Sequence, residues 1–306
     1  MFKKGSLISV DRLIWGWINE GFVIHQGNIE KNPMTLREIG ETYLCELINR
    51  NLIVRVGTDA VCVYNFVHEL IISLSAEENF AVILDGQQEK SLPQIVYRLS
   101  IQGNTPLLRG RLCHARSLVA YGDANLMPPL SEFKDLRVLD LAGCRDTLQN
   151  DHLAGIRDSF FLKYLVIGGK YIADIPKEIG GLPFLQSLDL KETSVKELTE
   201  SVFLLRNLKH LCVNGRTKIS TGIGKMESLE ELGEINISKH ELLEELCNLT
   251  KLRVLRVSIW SWDESYSEAL FGYLRSLVVN EQNMQSLAIR TTCSLHSLDT
   301  LNAVTE

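Results

Sequence analysis

No stretch of this 306-residue sequence approaches the ~20 consecutive apolar residues that cross a membrane. Lys3 and Lys4 open the chain as a secretory leader would, but Asp11 and Arg12 interrupt the apolar run behind them, so no leader is expected. A basic excess is missing too: the formal net charge is −6, which argues against a nucleic-acid or membrane-surface protein, whose domains are usually basic. Paired cysteines are absent. Cys45, Cys62, Cys113, Cys144, Cys212, Cys247 and Cys293 are odd in number and never spaced C-x-x-C. That argues against a zinc framework, and their mostly leucine-rich surroundings point to reduced, core-filling thiols of a cytosolic protein. In that compartment the sequon Asn248-Leu249-Thr250 carries no meaning. Catalytic spacings are missing as well. No histidine falls in H-E-x-x-H, there is no G-x-S-x-G elbow, and Gly222-Ile-Gly224-Lys225-Met226 fails the phosphate-loop spacing at both ends. No enzyme activity, metal site or nucleotide binding is therefore expected of this chain.

What the sequence does hold is a repeat. Leu136-Arg-Val-Leu139-Asp-Leu141 returns as Leu162-Lys-Tyr-Leu165-Val-Ile167, Leu185-Gln-Ser-Leu188-Asp-Leu190 and Leu208-Lys-His-Leu211-Cys-Val213. Leu229-Glu-Glu-Leu232 continues one residue out of step as Gly-Glu-Ile235-Asn-Ile237. Leu252-Arg-Val-Leu255-Arg-Val257 and Met284-Gln-Ser-Leu287-Ala-Ile289 come next, and a weaker copy, Ala115-Arg-Ser-Leu118-Val-Ala120, precedes them all. First positions are spaced 21, 26, 23, 23, 21, 23 and 32 residues apart. All but the last suit a leucine-rich repeat. The long gap holds either an insertion between Trp260 and Tyr273 or a degenerate repeat, and Leu295-His-Ser-Leu298 could open one more.

In L-x-x-L-x-L the last two apolar residues are two apart, so they share one face of a short strand. Stacked in parallel, such strands bury their ladder only against neighbouring repeats. A buried leucine contributes roughly 1.5–3 kcal/mol, too little for a lone repeat to hold itself together. Ile175-Pro-Lys-Glu-Ile179-Gly180 and Val195-Lys-Glu-Leu198 return the chain on the convex side, where Pro176 breaks no central strand. The alternate residues, Val138, Asp140, Asp189, Lys191, Cys212, Asn214, Arg256, Ser258 and Arg290, then line the concave face. Their chemistry varies while the ladder stays fixed, as on a scaffold with a replaceable binding surface. The polar ones among them, Asp140, Asp189, Lys191, Asn214, Arg256, Ser258 and Arg290, are the candidate partner-binding residues.

Residues 1–110 do not repeat. Asp11 can cap a helix with Leu13, Ile14, Trp17 and Ile18 on one face, closed by Gly21. Thr35-Leu-Arg-Glu38 is a capping box opening a helix with Leu36, Ile39, Tyr43, Leu47 and Ile48 on one stripe. Leu52–Val56 and Ala60–Val63 read as strands about the turn Gly57-Thr-Asp59, and Asn65 can cap a helix carrying Phe66, Val67, Leu70, Ile71 and Leu74. Helix, helix, strand, turn, strand is the order of a winged helix without its first helix. The expected fold is α/β: a leucine-rich-repeat solenoid over 111–306, a linker or cap over 86–110, and a small α+β winged-helix remnant over 1–85.

Three segments carry a resemblance. Asp11-Arg-Leu-Ile-Trp-Gly-Trp-Ile-Asn-Glu-Gly-Phe-Val23 resembles the RLI-x-x-W-x-AEGFV segment of the plant NB-ARC leucine-rich-repeat disease-resistance receptors of coiled-coil type. Glu41-Thr-Tyr-Leu-Cys-Glu-Leu-Ile-Asn-Arg50 is similar to their EEYLNELINR helix, and Val63-Tyr-Asn-Phe-Val-His-Glu-Leu70 sits where that family has MHDLVHDL. The resemblance implies plant defence. It implies a repeat domain that senses a pathogen effector or a guarded host protein, and a cytoplasmic location with the nucleus as a second compartment. It also implies a winged helix that holds ADP through the histidine of MHD in intact receptors. Here that triad is degenerate, Val63-Tyr64-Asn65: Asn65 keeps the capping chemistry of aspartate, whereas Tyr64 is no imidazole. ADP or ATP is thus implied for the family but not for this chain, which shows no P-loop.

The expected partner is a protein, either an effector, a host protein or the NB-ARC domain of an intact receptor. Two alternatives stand beside it. One is a winged-helix nucleic-acid reader, against which stand the charge and the mostly acidic second helix with Arg37, Glu38, Glu41 and Glu46. The other is a leucine-rich-repeat adaptor for ubiquitin ligation, for which no companion module is visible.

Overall fold

The computed structural model describes residues 2–25, 34–86, 95–103, 112–236, 240–259, 272–273 and 284–291. Ile237, Trp260, Cys293 and the segment Leu295–Leu298 lie outside the described residues. The chain forms two compact units, residues 1–166 and 167–306.

The first unit begins with a short strand β1 (Ile8–Ser9) leading into α1 (Val10–Glu20). Leu13, Ile14, Trp15 and Ile18 are the buried apolar residues; the expected Trp17 is partly buried and packs against the same core, and Trp15 joins the face unexpectedly. Asp11 does not cap this helix. Ser9 occupies the capping position, and Asp11 sits in the first turn, where it receives Arg37 at 2.8 Å. Gly21 closes α1 at φ 81°, a left-handed conformation that suits glycine.

α2 (Leu36–Asn49) starts on the expected capping box. The Glu38 amide donates to Thr35 Oγ1 at 3.2 Å, and the Thr35 amide donates to Glu38 Oε2 at 2.6 Å. Its stripe of Leu36, Ile39, Tyr43, Leu47 and Ile48 packs against the core beside buried Leu44. Gly40 explains how close the two helices come: a Cβ there would meet Ile14 Cγ2 at 2.7 Å.

β2 (Ile53–Val56) and β3 (Ala60–Val63) form the expected hairpin, and β1 adds to β3, giving the order β1-β3-β2. α3 (Asn65–Glu77) comes next. Its first ladder bond runs from the His68 amide to the Tyr64 carbonyl, so Tyr64 holds the capping position, without a capping side chain. Asn65 is the first helical residue, and the cap expected of it is not made.

The parallel ladder of the first unit holds β4 (Val82–Leu84), β5 (Arg98–Ile101), β6 (Ser117–Tyr121), β7 (Val138–Gly143) and β8 (Tyr164–Val166). Leu99, Leu118, Leu139 and Leu165 are in register across it and all but inaccessible. The boundaries expected at 85 and 110 therefore need correction. β4 lies in the segment assigned to the winged helix and β5 in the segment assigned to a linker or cap, yet both pair in the repeat sheet. Val96-Tyr-Arg-Leu99-Ser-Ile101 is a repeat strand in disguise. Valine replaces its first leucine, and it precedes Ala115 by fewer residues than a standard repeat allows.

In the second unit β9 (Ser187–Asp189), β10 (His210–Cys212), β11 (Glu231–Asn236), β12 (Val254–Ile259) and β13 (Ser286–Thr291) continue the pattern in parallel. Leu188, Leu211, Leu232 and Leu255 are in register and inaccessible. The copy that ran one residue out of step is accommodated by a bulge. Leu232 pairs with Leu255 and Ile235 with Val257, and Glu234 takes the strain at φ 59°. β13 pairs directly with β12, so the 32-residue gap is one long repeat rather than two.

The returns are 3-10 turns. One spans Lys177–Gly181 behind Pro176, with Ile175 and Ile179 buried as expected; others span Val202–Leu204 and Ile223–Lys225. α4 (His240–Leu246) serves the same purpose between β11 and β12.

Candidate protein-recognition surface

The outward sheet positions have different fates in the two units. In the first, α1 lies against β7 and β8, and Val138, Ala142, Tyr164 and Val166 join Leu13, Ile14 and Trp15 in one apolar cluster. Asp140 sits at 2% exposure in this contact. Arg12 grips it with two hydrogen bonds, Nε to Oδ2 at 2.6 Å and Nη2 to Oδ1 at 2.5 Å. Burial works against the Arg12 cation, but the charge and hydrogen bonds of Asp140 outweigh it and hold its pKa above the ordinary value. The Tyr164 hydroxyl donates to the Arg12 carbonyl at 3.0 Å, and the Ser117 hydroxyl and Arg98 both donate to Glu20. Asp140 is therefore an internal anchor, and its assignment as a partner-binding residue is overturned: a carboxylate buried in a fork–fork pair offers nothing to a partner.

In the second unit the outward positions form two neighbouring rows. Asp189, Cys212 and Gly233 are in register on β9, β10 and β11, with Arg256 and Ala288 on β12 and β13. Asn236, Ser258 and Arg290 are in register one step along. Gly233 lies between Cys212 and Arg256: a Cβ there would stand 3.1 Å from Cys212 Sγ and 3.5 Å from an Arg256 guanidinium nitrogen.

Lys191 and Arg290 are exposed and reach the same carboxylate, Glu234, at 3.6 and 3.5 Å. Asp189 Oδ1 accepts from the Lys191 amide at 2.9 Å, and the Asn214 side chain donates to the Lys191 carbonyl at 3.3 Å. The expected group of Asp189, Lys191, Asn214, Arg256 and Arg290 thus shares one face. Ser258, at 6% exposure, and Cys212, at 5%, are its floor rather than its contact residues. Glu234, through which Lys191 and Arg290 converge, was not singled out from sequence. The extra residue in that repeat was its signal.

Val63 ends β3, and Tyr64 is 38% exposed with its ring stacked 6.0 Å from that of Phe66. The Gly222–Gly224 turn that resembled a phosphate loop is filled from within: both amides donate to Glu245 Oε2, at 2.6 and 3.1 Å. A carboxylate of the chain already takes the place a phosphate would need, so these residues do not fit a nucleotide. No group of three or more His, Cys, Asp or Glu able to hold a metal is found among the described residues.

The thiols divide. Cys144 and Cys212 are core residues, and burial, with Asp140 and Asp123 nearby, pushes the Cys144 pKa up to about 12. Cys45 and Cys247 are exposed, against the expectation that the cysteines fill cores. Among the described residues no helix is long and apolar enough to cross a membrane.

Residues 114–305 match the family model of a leucine-rich repeat region, and residues 1–74 match that of the disease resistance protein winged helix domain. The chain belongs to the plant disease-resistance proteins of the leucine-rich-repeat family. Its relatives include three proteins of Oryza sativa subsp. japonica. Disease resistance protein Pik-2 is 28% identical over 93% of this chain and 33% of its own length. PIK6-NP is 31% identical over 92% and 32%, and RGA5 is 30% identical over 84% and 24%. The chain spans about a third of the length of the first curated relatives it matches.

Proposed function

We propose that this chain is the recognition portion of a plant immune receptor acting in the cytoplasm, and that its partner is a protein, a pathogen effector or a guarded host protein, bound on the outward face of β9–β13. The observation that carries this reading is the contrast between the two units. Outward positions on β7 and β8 of the first are apolar or ion-paired and covered by α1. Those of the second carry exposed Lys191 and Arg290, both in long ion pairs with the buried carboxylate of Glu234. Because two cations share Glu234, a partner can engage one of them while the other still compensates the buried carboxylate. Charged rims around a floor of small residues also set specificity and encounter rate.

Lys191→Gln with Arg290→Gln, amides that can still donate to Glu234, should abolish binding to a partner captured by the intact chain from an effector library while the variant stays folded. Undiminished binding by the stable double variant would refute the reading. The nucleic-acid alternative loses support from α2, where Arg37 is engaged by Asp11 and Glu41, and Arg50 by Glu46. Nothing in the structure favours the ubiquitin-adaptor alternative.

A further inference from the structure

On the outward face of β9–β13 the charges lie in two layers. Glu231 and Glu234 are buried against the sheet. Above them stand cations: Lys191 and Arg290 are exposed, and Arg256 is half-buried. Asp189 is half-buried too, and its Oδ1 accepts from the Lys191 amide. β11 lies midway between β9 and β13, so Lys191 and Arg290 reach Glu234 from opposite sides, at 3.6 and 3.5 Å. The floor beneath them is low, since Gly233 has no side chain and Cys212 and Ala288 are small.

Glu234 takes only part of what these two side chains offer. An ammonium carries three N–H groups and a guanidinium five, and neither accepts a hydrogen bond. Such a surface calls for a partner that brings acceptors. Covering Lys191 and Arg290 with neutral groups would strip water from two cations without compensation. A carboxylate supplies both the charge and the lone pairs. A nucleic-acid backbone suits the face less well, because the chain carries a net charge of −6 and Glu231, Glu234 and Asp189 lie under the same cations.

We infer that the partner presents an acidic segment, whose Asp or Glu side chains are bound by Lys191, Arg290 and Arg256. The inference rests on the reading of β9–β13 as the recognition face and adds the chemistry of its occupant.

Two matched peptides test it. One has about ten Glu-Gly repeats, and the other has Gln in place of every Glu. Each carries a neutral dye and is titrated with the full chain in about 20 mM NaCl, where screening is weak. The acidic peptide should bind at least tenfold more tightly than its glutamine twin. Arg256→Gln leaves both Glu234 pairs in place and should lose at least threefold. Lys191→Gln, Arg256→Gln and Arg290→Gln together should lose at least tenfold. Removing as many charges from exposed return segments, with Lys177→Gln, Lys196→Gln and Lys225→Gln, should change the affinity less than twofold. The peptide comparison is made on the intact chain, so it decides the matter even where the triple face variant fails to fold. Equal binding of the two peptides, no binding of either, or equal losses in the two triple variants would overturn the inference. So would tighter binding of an oligothymidylate of the same length. Should Lys191→Gln with Arg290→Gln release a captured partner while the acidic peptide fails to bind, the recognition face stands and its acidic preference falls.

Discussion

Replacing Asp140 with alanine separates an anchor from a binding residue. Arg12 would then keep its charge in a place where its side chain is 13% exposed and its partner, at 3%, is gone. Removing one member of a buried pair costs about 3–5 kcal/mol, because the remaining ion stays desolvated without compensation. Asp140 Oδ1 also accepts from the Ala142 amide at 3.1 Å, so the loss falls at the upper part of that range. At ~2–4 °C per kcal/mol for a unit of this size, the melting transition of the first unit should fall by roughly 10 °C. Circular dichroism with native-state hydrogen exchange reports it, the exchange data assigning the loss to β7, β8 and α1. The double variant Arg12→Met with Asp140→Leu should regain most of the stability, since apolar residues of similar volume replace a buried pair at little cost. Should Asp140→Ala cost under about 1 kcal/mol, or destabilise no more than Asp189→Ala in the exposed row, the anchor would be refuted.

Leu188→Asp with Leu211→Asp should unfold the second unit, since both side chains are inaccessible and truncation to alanine alone costs about 2–5 kcal/mol each. Protease resistance of the double variant equal to that of the parent would contradict the ladder. A calorimetric titration with ADP or ATP should give no binding heat, because Glu245 already occupies the Gly222 and Gly224 amides; a micromolar Kd would overturn that. At pH 8, iodoacetamide should label Cys45 and Cys247 and leave Cys144 untouched, since a thiol pushed to about 12 is protonated there and buried besides. Labelling of Cys144 at the rate of Cys45 would count against its burial.

The inward ladder was legible in the sequence because it depends on local periodicity. Leu139, Leu165, Leu188, Leu211 and Leu255 stand where L-x-x-L-x-L places them. So were the capping box at Thr35 and the hairpin, whose chemistry is confined to a few residues. Features decided by distant neighbours were not legible. Trp15 is buried more deeply than Trp17 because other elements pack on its side of α1 too, and no periodicity within one helix fixes how many sides are covered. The early strands β4 and β5 escaped because their spacing is short and one leucine is a valine, although the alternation in Leu99-Ser-Ile101 was present.

The fate of the outward positions turns on the same distinction, and here the sequence held a signal that the repeat pattern overshadowed. An outward residue in water gains nothing from being apolar, whereas one beneath a helix does. On β7 and β8 the outward residues flanking the ladder include Val138, Ala142, Tyr164 and Val166, all buried. On β9 to β13 one outward row reads Asp189, Cys212, Gly233, Arg256 and Ala288, without one large apolar side chain, while the row beside it, Ser187, His210, Glu231 and Val254, is buried. Asp140 alone breaks the rule on β7, and its partner was 128 residues away on α1. A carboxylate set among apolar outward residues needs a cation to be buried with it, so Val138-Leu-Asp140-Leu-Ala142 itself called for an arginine from elsewhere. Outward composition, taken strand by strand, therefore separates covered positions from open ones, and the open row of the second unit is where the proposed protein partner would bind.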